Sequence, residues 1–184
     1  ESTRAKFVVS IVGGGLVCYS IYRYLQNRDK REWIPVGTVG ALWIYPVKSC
    51  YRKEVEWIKC NNSGPSQGEL CDRQFVIIDE DTGLICTARQ MPKLAVVKVD
   101  VCARFLTVTT PEGLTASVNL EDVERKGRWR EAILRKGECS NGLDCGEEIA
   151  EVLNQYCQGI HGVRMLYYPP SKKSELYRLE WLWK

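Results

Sequence analysis

The chain has 184 residues, of which 45% are hydrophobic and 27% are charged. This is the composition of a folded protein with a core, so wholesale disorder is excluded. The formal net charge is only +3, and no dense stripe of lysine and arginine alternates with aromatic residues. Nucleic acid is therefore not an expected partner. The length suits one domain with an appendage.

Nine cysteines are scattered along the chain, and no two have the spacing Cys-x-x-Cys. Because His161 is the single histidine, a zinc site of the usual spacing is not expected. The odd number of cysteines and their positions indicate reduced thiols in a protein that faces the cytosol. We interpret His161 as a structural or exposed residue rather than a catalytic one.

An uncharged stretch follows the first six residues. Extended to Leu25, the segment 7–25 contains Arg23 as its single charged residue and has about the length that a helix needs to cross a bilayer. A signal peptide is the alternative, but no small-residue cleavage pattern follows. We therefore expect residues 1–34 to form a membrane anchor, with one transmembrane helix over about 7–25, and a linker. More basic residues follow the span than precede it, which places the folded part in the cytosol.

Residues 36–118 carry mostly strand-like patterns. Pro46 should end the first strand, because proline cannot donate to a strand ladder. The run Phe75–Ile78 is continuously apolar, which predicts burial on both faces, and residues 61–68 have the composition of a loop. Regular short strands favour an antiparallel barrel or sandwich, with strands at 55–58, 75–78, 84–87, 94–101, 105–109 and 114–118.

One amphipathic helix is predicted in the C-terminal third. Asp144 and Glu147 have the spacing of a capping box, after a turn at Asn141–Gly142, and Gly159 can end the helix. Its apolar face would contain Ile149, Leu153, Tyr156 and Cys157. Strands are expected before and after it, at 129–134 and 162–168. The fold class is therefore α+β, mainly antiparallel β with one amphipathic helix, preceded by the single transmembrane helix.

Two cations are predicted at strand tips, each beside a hydroxyl group. Lys48 and Ser49 follow Pro46, and Arg89 lies in the turn Thr87–Gln90 after a hairpin. Lysine and arginine supply charge-assisted hydrogen bonds, so the pair suits a phosphate or another anion. The alternatives are solvated surface cations and hydroxyls that cap turns.

Three runs carry a family resemblance: Val36–Cys50, Asp72–Asp79 and Thr87–Leu94. In order and spacing they resemble the MOSC N-terminal beta-barrel domain, and within that family the mitochondrial amidoxime-reducing components. The resemblance covers residues 35–168, which we expect to form this domain. It implies that the chain is a fragment and that residues 169–184 begin the connection to a C-terminal MOSC domain. It also implies the mitochondrial outer membrane, with the domain facing the cytosol.

The resemblance further implies a molybdenum cofactor. Lys48, Ser49 and Arg89 match the family's cofactor-binding residues, whereas the catalytic residues stay unknown. We interpret Asp72–Arg73 as a structural ion pair or two unrelated surface charges. The cysteine that ligates the metal is expected in the C-terminal domain, so no metal ligand is assigned here. Cys50 is interpreted as a small buried hydrophobic residue rather than a substitute ligand.

Three functions follow from these patterns. The first is a molybdenum-dependent reductase of small N-hydroxylated compounds, for which the resemblance implies a b5-type cytochrome and NADH-cytochrome b5 reductase as partners. The second is a non-catalytic, membrane-tethered binding or sulfur-carrier module. The third is a pyridoxal phosphate site in which Lys48 is the amine nucleophile, which requires a desolvated lysine. No residue in the sequence points to a partner for pyridoxal phosphate.

Overall fold

A computed structural model describes residues 16–25, 34–61, 64–134, 137–158 and 162–170. The chain divides into two compact units, Glu1–Val39 and Gly40–Lys184. In the first unit, residues 16–25 form helix α1. Residues 7–15 of the predicted span lie outside the described residues, and no helix among the described ones has the length and apolar character for a membrane crossing. The transmembrane helix therefore stays a prediction.

The second unit consists mainly of antiparallel β-structure, as predicted. The first six strands are β1 (Leu42–Ile44), β2 (Lys53–Val55), β3 (Lys59–Asn61), β4 (Gly64–Gln67), β5 (Leu70–Cys71) and β6 (Phe75–Asp79). The next six are β7 (Lys98–Cys102), β8 (Phe105–Thr109), β9 (Thr115–Asn119), β10 (Trp129–Ile133), β11 (Cys139–Asp144) and β12 (Val163–Tyr167). The helices are a 3-10 helix η1 (Pro92–Val96), α2 (Leu120–Lys126) and α3 (Glu147–Cys157).

The largest sheet closes into a small barrel. Its strand order is β10-β11-β12-β6, and every pair is antiparallel. The segment Leu84–Ile85 joins the two ends of this sheet, because Ile85 bridges Ile78 of β6 and Leu84 bridges Ile133 of β10. Leu84–Ile85 thus closes this sheet between β6 and β10, whereas most strands that the sequence assigned to a barrel or sandwich lie in separate antiparallel sheets.

Alternate residues of β6 face two different cores, which explains its continuous apolar run. A small cluster fills the barrel interior and contains Val76, Ile78, Ile85, Ala132, Leu134, Leu166 and Tyr168. The larger core lies on the other side of β6 and includes Phe75 and Ile77 together with Ile149 and Leu153 of α3. Phe75–Ile78 are at most 2% exposed, so the predicted burial on both faces is confirmed.

The remaining strands form three smaller sheets: β1-β2, β3-β4-β5 and β7-β8-β9. In β7 and β8, apolar residues alternate with polar ones, and the apolar residues join the larger core. Helix α3 packs against β9 and β12 through the face that the sequence predicted.

Several predicted local features are wrong. Asn141–Gly142 is not a turn but lies inside β11 and pairs with β10, and a side chain at Gly142 would come within 2.8 Å of Leu166. There is no capping box: Gly146 is the N-cap of α3, and the Asp144 carboxylate instead accepts the Gly146 N–H at 2.9 Å.

Helix α2 was not predicted, although it carries the usual signals. The Asn119 side chain accepts the Glu121 N–H at 2.8 Å, and Gly127 ends the helix in the left-handed conformation.

Other boundaries shift by a few residues. The predicted loop 61–68 contains β4, the strand expected at 55–58 is β2, and 94–101 begins as η1 before β7. Helix α3 ends at Cys157 with Gln158 in the left-handed conformation. Gly159, His161 and residues 171–184 lie outside the described residues. All nine cysteines are free thiols, as predicted.

Candidate functional site

Lys48 and Ser49 form the centre of a tight turn after β1. The Cys50 N–H donates to the Val47 carbonyl at 3.2 Å, and Ser49 has a φ of 72°, which is the left-handed region. A turn of this kind requires a positive φ at its third residue, where glycine is usual. The structure records no hydrogen bond between the Ser49 hydroxyl and another described residue, so this hydroxyl does not cap the turn.

The turn is fixed to the start of β6 by parallel pairing. Val47 bridges Phe75 in parallel, the Phe75 N–H donates to Pro46 at 3.0 Å, and the Lys48 N–H donates to Phe75 at 3.2 Å. One step earlier, the Arg73 N–H donates to the Tyr45 carbonyl at 2.6 Å. The segment after β1 and the segment before β6 therefore run side by side; the first ends at Lys48 and the second begins at Arg73.

Arg73 is the cation that acts on Lys48. Lys48 is half-buried, and its pKa is lowered from the ordinary value of 10.5, first by burial and second by the positive charge of Arg73. Sequence reasoning missed this role, because nothing in the sequence shows that residues 45–48 pair with 73–75. Both causes disfavour the charged form of Lys48, and an anion bound to the ammonium would stabilise that form.

Asp72 holds Arg73 in place. Its side chain is buried, forms a short ion pair with the Arg73 guanidinium and accepts the Tyr45 N–H at 2.8 Å. The structural ion pair that the sequence suggested is therefore present. It also links Arg73 to the strand that leads to Lys48.

The second predicted tip reaches the same edge of β6 from the opposite direction. The Cys86 N–H donates to Ile77 at 2.8 Å, two residues along from Phe75, so the amides of Cys86 and Lys48 bind carbonyls roughly 7 Å apart. The chain then turns away through Thr87–Gln90, where the Thr87 hydroxyl and N–H both donate to Gln90 Oε1. The Thr87 hydroxyl therefore caps a turn.

Arg89 is exposed at the corner of that turn. The structure records no ion pair or hydrogen bond between the Arg89 guanidinium and a described residue, Lys48 included. Arg89 is thus an exposed cation in the neighbouring turn, whereas Arg73 is held in place by Asp72.

Three buried thiols, those of Cys50, Cys86 and Cys157, lie near one another. Burial first and the Cys157 thiol second raise the pKa of Cys50 to about 12, and burial raises that of Cys86 to about 11. Neutral thiols are poor metal ligands. Within the described ranges, no group of three or more His, Cys, Asp or Glu side chains is arranged to hold a metal ion.

The residues fit an anionic cofactor tail. The half-buried Lys48 ammonium, the Arg73 guanidinium and the Ser49 hydroxyl are donors of the kinds that bind phosphate. The same donors do not hold a metal by themselves, because neither Lys48 nor Arg73 is a metal ligand.

Comparison with known families gives a direct match. The model of the MOSC N-terminal beta barrel domain matches residues 36–159, which include the whole site described above.

Similar proteins are named mitochondrial amidoxime-reducing component 1 or 2. Human mitochondrial amidoxime reducing component 2 is 44% identical over 85% of this chain and 46% of its own length. The rat protein of the same name is 32% identical over 73% of this chain and 39% of its own. Zebrafish mitochondrial amidoxime-reducing component 1 is 30% identical over 91% of this chain and 48% of its own length. The chain thus spans about half the length of the relatives it matches, or less.

Among solved structures, a solution structure of a protein from Bordetella bronchiseptica has a TM-score of 0.45 and 19% identity. The structural match covers 54% of this chain and 74% of the Bordetella bronchiseptica chain.

Proposed function

Because this chain belongs to the MOSC N-terminal beta barrel domain family, we propose that it forms one wall of a molybdenum-cofactor site in an amidoxime-reducing type of reductase. The observation that carries the proposal is the half-buried Lys48 beside Arg73, with the Ser49 hydroxyl available in the same turn. The relatives' names supply the reaction class.

The chain's own residues would bind and orient the cofactor. Lys48 and Arg73 would neutralise its phosphate and pterin oxygens, Ser49 would donate one directional hydrogen bond, and Arg89 would approach from the neighbouring turn. The cofactor itself would supply the redox-active metal. Small N-hydroxylated compounds would be the substrates of the whole protein, with electrons from NADH-cytochrome b5 reductase through a b5-type cytochrome.

The wider organisation is part of the same proposal. Residues 1–34 would tether the protein to the mitochondrial outer membrane, 35–168 would form the cofactor wall, and 169–184 would lead to a second domain that carries the metal-ligating cysteine. The relatives' names support the mitochondrial address.

Molybdenum content of the purified full-length protein tests the site. Lys48→Ala and Arg73→Ala each remove a charge-assisted hydrogen bond, so we expect cofactor affinity to fall about 10- to 100-fold. Arg89→Ala should have a smaller effect, because Arg89 is exposed. Matched controls are Lys98→Ala and Arg125→Ala, which remove exposed cations elsewhere. Undiminished molybdenum in the Lys48 and Arg73 variants would remove both residues from the cofactor site.

Reductase activity separates the enzyme from the non-catalytic alternative. A full-length protein that retains molybdenum but does not reduce an amidoxime when supplied with electrons would favour the binding or carrier module.

A further inference from the structure

The outer face of the β1–β2 sheet carries two exposed aromatic side chains. Trp43 and Tyr45 alternate along the chain with Ile44 and Pro46, which are buried, so both rings point away from the core. Each ring is 39% exposed. Single exposed apolar residues are ordinary, but large aromatic side chains grouped on one face indicate a binding surface.

Two charged residues complete this face. Glu54 lies directly opposite Trp43 in the antiparallel register of β1 and β2, and the Arg52 guanidinium lies 4.5 Å from the centroid of the Trp43 ring. Both charged residues are exposed. We call Trp43, Tyr45, Arg52 and Glu54 the β1–β2 outer face. Its two charges cancel, and its apolar area is aromatic rather than aliphatic.

Tryptophan and tyrosine are the side chains that collect at the level of lipid headgroups. Their rings are apolar, whereas the indole N–H and the phenol O–H keep hydrogen bonds to water or lipid. An arginine beside them can hold its guanidinium toward the lipid phosphate while its stem covers apolar surface. An anionic polymer or a strongly anionic lipid surface would require an excess of cations. The composition of this face therefore suits the headgroup region of a zwitterionic bilayer.

The position of this face in the chain favours a bilayer over a soluble partner. β1 is the first strand of the second unit, and residues 26–41 separate it from α1. Under the proposed function, residues 1–34 tether the protein to a membrane. A connection of this length gives effective concentrations in the millimolar range, so a face of modest intrinsic affinity would be occupied.

We propose that the β1–β2 outer face contacts the headgroup region of the bilayer to which the chain is tethered. This inference rests on the proposed tether and is independent of the molybdenum cofactor. The Tyr45 N–H donates to the Asp72 carboxylate, and the Tyr45 carbonyl accepts the Arg73 N–H. Docking on this face would therefore hold the candidate anion site next to the membrane surface.

Fluorescence quenching of the full-length protein in phosphatidylcholine vesicles tests the proposal. Part of the lipid carries bromine on its acyl chains, which quenches only tryptophan close to the bilayer. The difference between wild type and Trp43→Phe isolates the emission of Trp43, and phenylalanine keeps a ring beneath Arg52. We expect brominated lipid to lower this emission roughly twofold, because an interfacial indole lies within reach of the acyl chains. Unquenched Trp43 emission would overturn the proposal, whether a soluble partner, the second domain or only water covers the face.

Trp129 provides the matched control. It is 44% exposed but lies on β10, in a different sheet. The emission isolated with Trp129→Phe should not be quenched by brominated lipid. Equal quenching of the two tryptophans would mean that the second unit meets the bilayer without a preferred face, which would overturn the proposal.

Salt separates an aromatic contact from an electrostatic one. Because the charges of Arg52 and Glu54 cancel, high salt should leave the quenching of Trp43 unchanged. Loss of the quenching in high salt would assign the contact to charged residues elsewhere and would also overturn the proposal.

Flotation of the vesicles keeps this proposal distinguishable from the tether. A protein that floats with the vesicles while Trp43 stays unquenched would overturn the docking alone. A protein that stays in solution would overturn the tether and the docking together. The cofactor proposal is unaffected by either result, because its measure is the molybdenum content.

Discussion

At the scale of single residues, the chemistry of the candidate site depends on how the protein holds Lys48. Burial and the neighbouring Arg73 both lower its pKa, so protonated Lys48 is less favourable in the folded chain than in the unfolded one. Folding stability therefore increases as pH rises through the interval between the lowered pKa and 10.5. A bound anion would reverse this effect, because it stabilises the charged ammonium.

Pyrophosphate binding to the full-length protein should therefore depend on pH through Lys48. We expect the affinity to fall as pH rises through the lowered pKa, since the neutral amine no longer attracts the anion. Calorimetry between pH 7 and 10.5 would measure this. In Lys48→Met, the affinity should be weaker and the fall over this interval should disappear. A fall of the same size in Lys48→Met would assign the titration to another group.

The sequence located only part of this site. Pro46 marks the end of a strand, which was enough to place Lys48 and Ser49 at its tip. The effect of Arg73 on Lys48 was missed because it comes from parallel pairing of residues 45–48 with residues 73–75, and such pairing leaves no local pattern. The sequence did predict Arg89 as a cation in a turn, and in the structure its side chain is exposed.

At the scale of secondary-structure elements, β11 shows why a local motif can mislead. Asn-Gly is a strong hairpin signal, yet Gly142 lies mid-strand, where a Cβ would be 2.8 Å from Leu166 and 3.2 Å from the Tyr168 ring. The barrel interior therefore requires glycine here for space rather than for a turn. The apolar face of α3 and the run in β6 were predictable, because periodicity reports burial directly.

Gly142→Ala should accordingly destabilise the protein. Overpacking of a filled interior typically costs about 1–3 kcal/mol, which urea denaturation would detect. Gly40→Ala is the matched control, because no atom lies within 4 Å of the Cβ position and its φ is not positive. Equal stability of the two variants would contradict the view that the barrel interior is tightly filled at this position.

At the scale of the whole molecule, Arg164 connects the barrel to helix α3. It lies in β12, is 7% exposed and forms ion pairs with Glu80 after β6 at 2.8 Å and with Glu147 at the start of α3 at 2.7 Å. Buried Asp144 of β11 lies 3.7 Å away. Hydrogen bonds that the Arg164 guanidinium donates to Glu147 and Glu80 raise its pKa, so it stays charged.

Arg164→Leu should therefore lower the free energy of unfolding by about 2–4 kcal/mol, because Asp144 loses part of its compensation in a buried position. Urea denaturation would measure the change. Arg125→Leu is the control: its pair with Asp122 is exposed, so we expect a change of no more than about 1 kcal/mol. A similar loss in both variants would mean that the Arg164 connections add no more than a surface pair.

The parallel pairing of residues 45–48 with 73–75 has an evolutionary consequence. The intervening β3–β5 excursion only has to return the chain to the correct register, and closing a loop twice as long costs only about 0.6 kcal/mol more. Insertions and deletions in that excursion should therefore be tolerated without moving the two cations apart. A one-residue slip in the pairing, by contrast, would turn one cation to the opposite face even though every amino acid was retained.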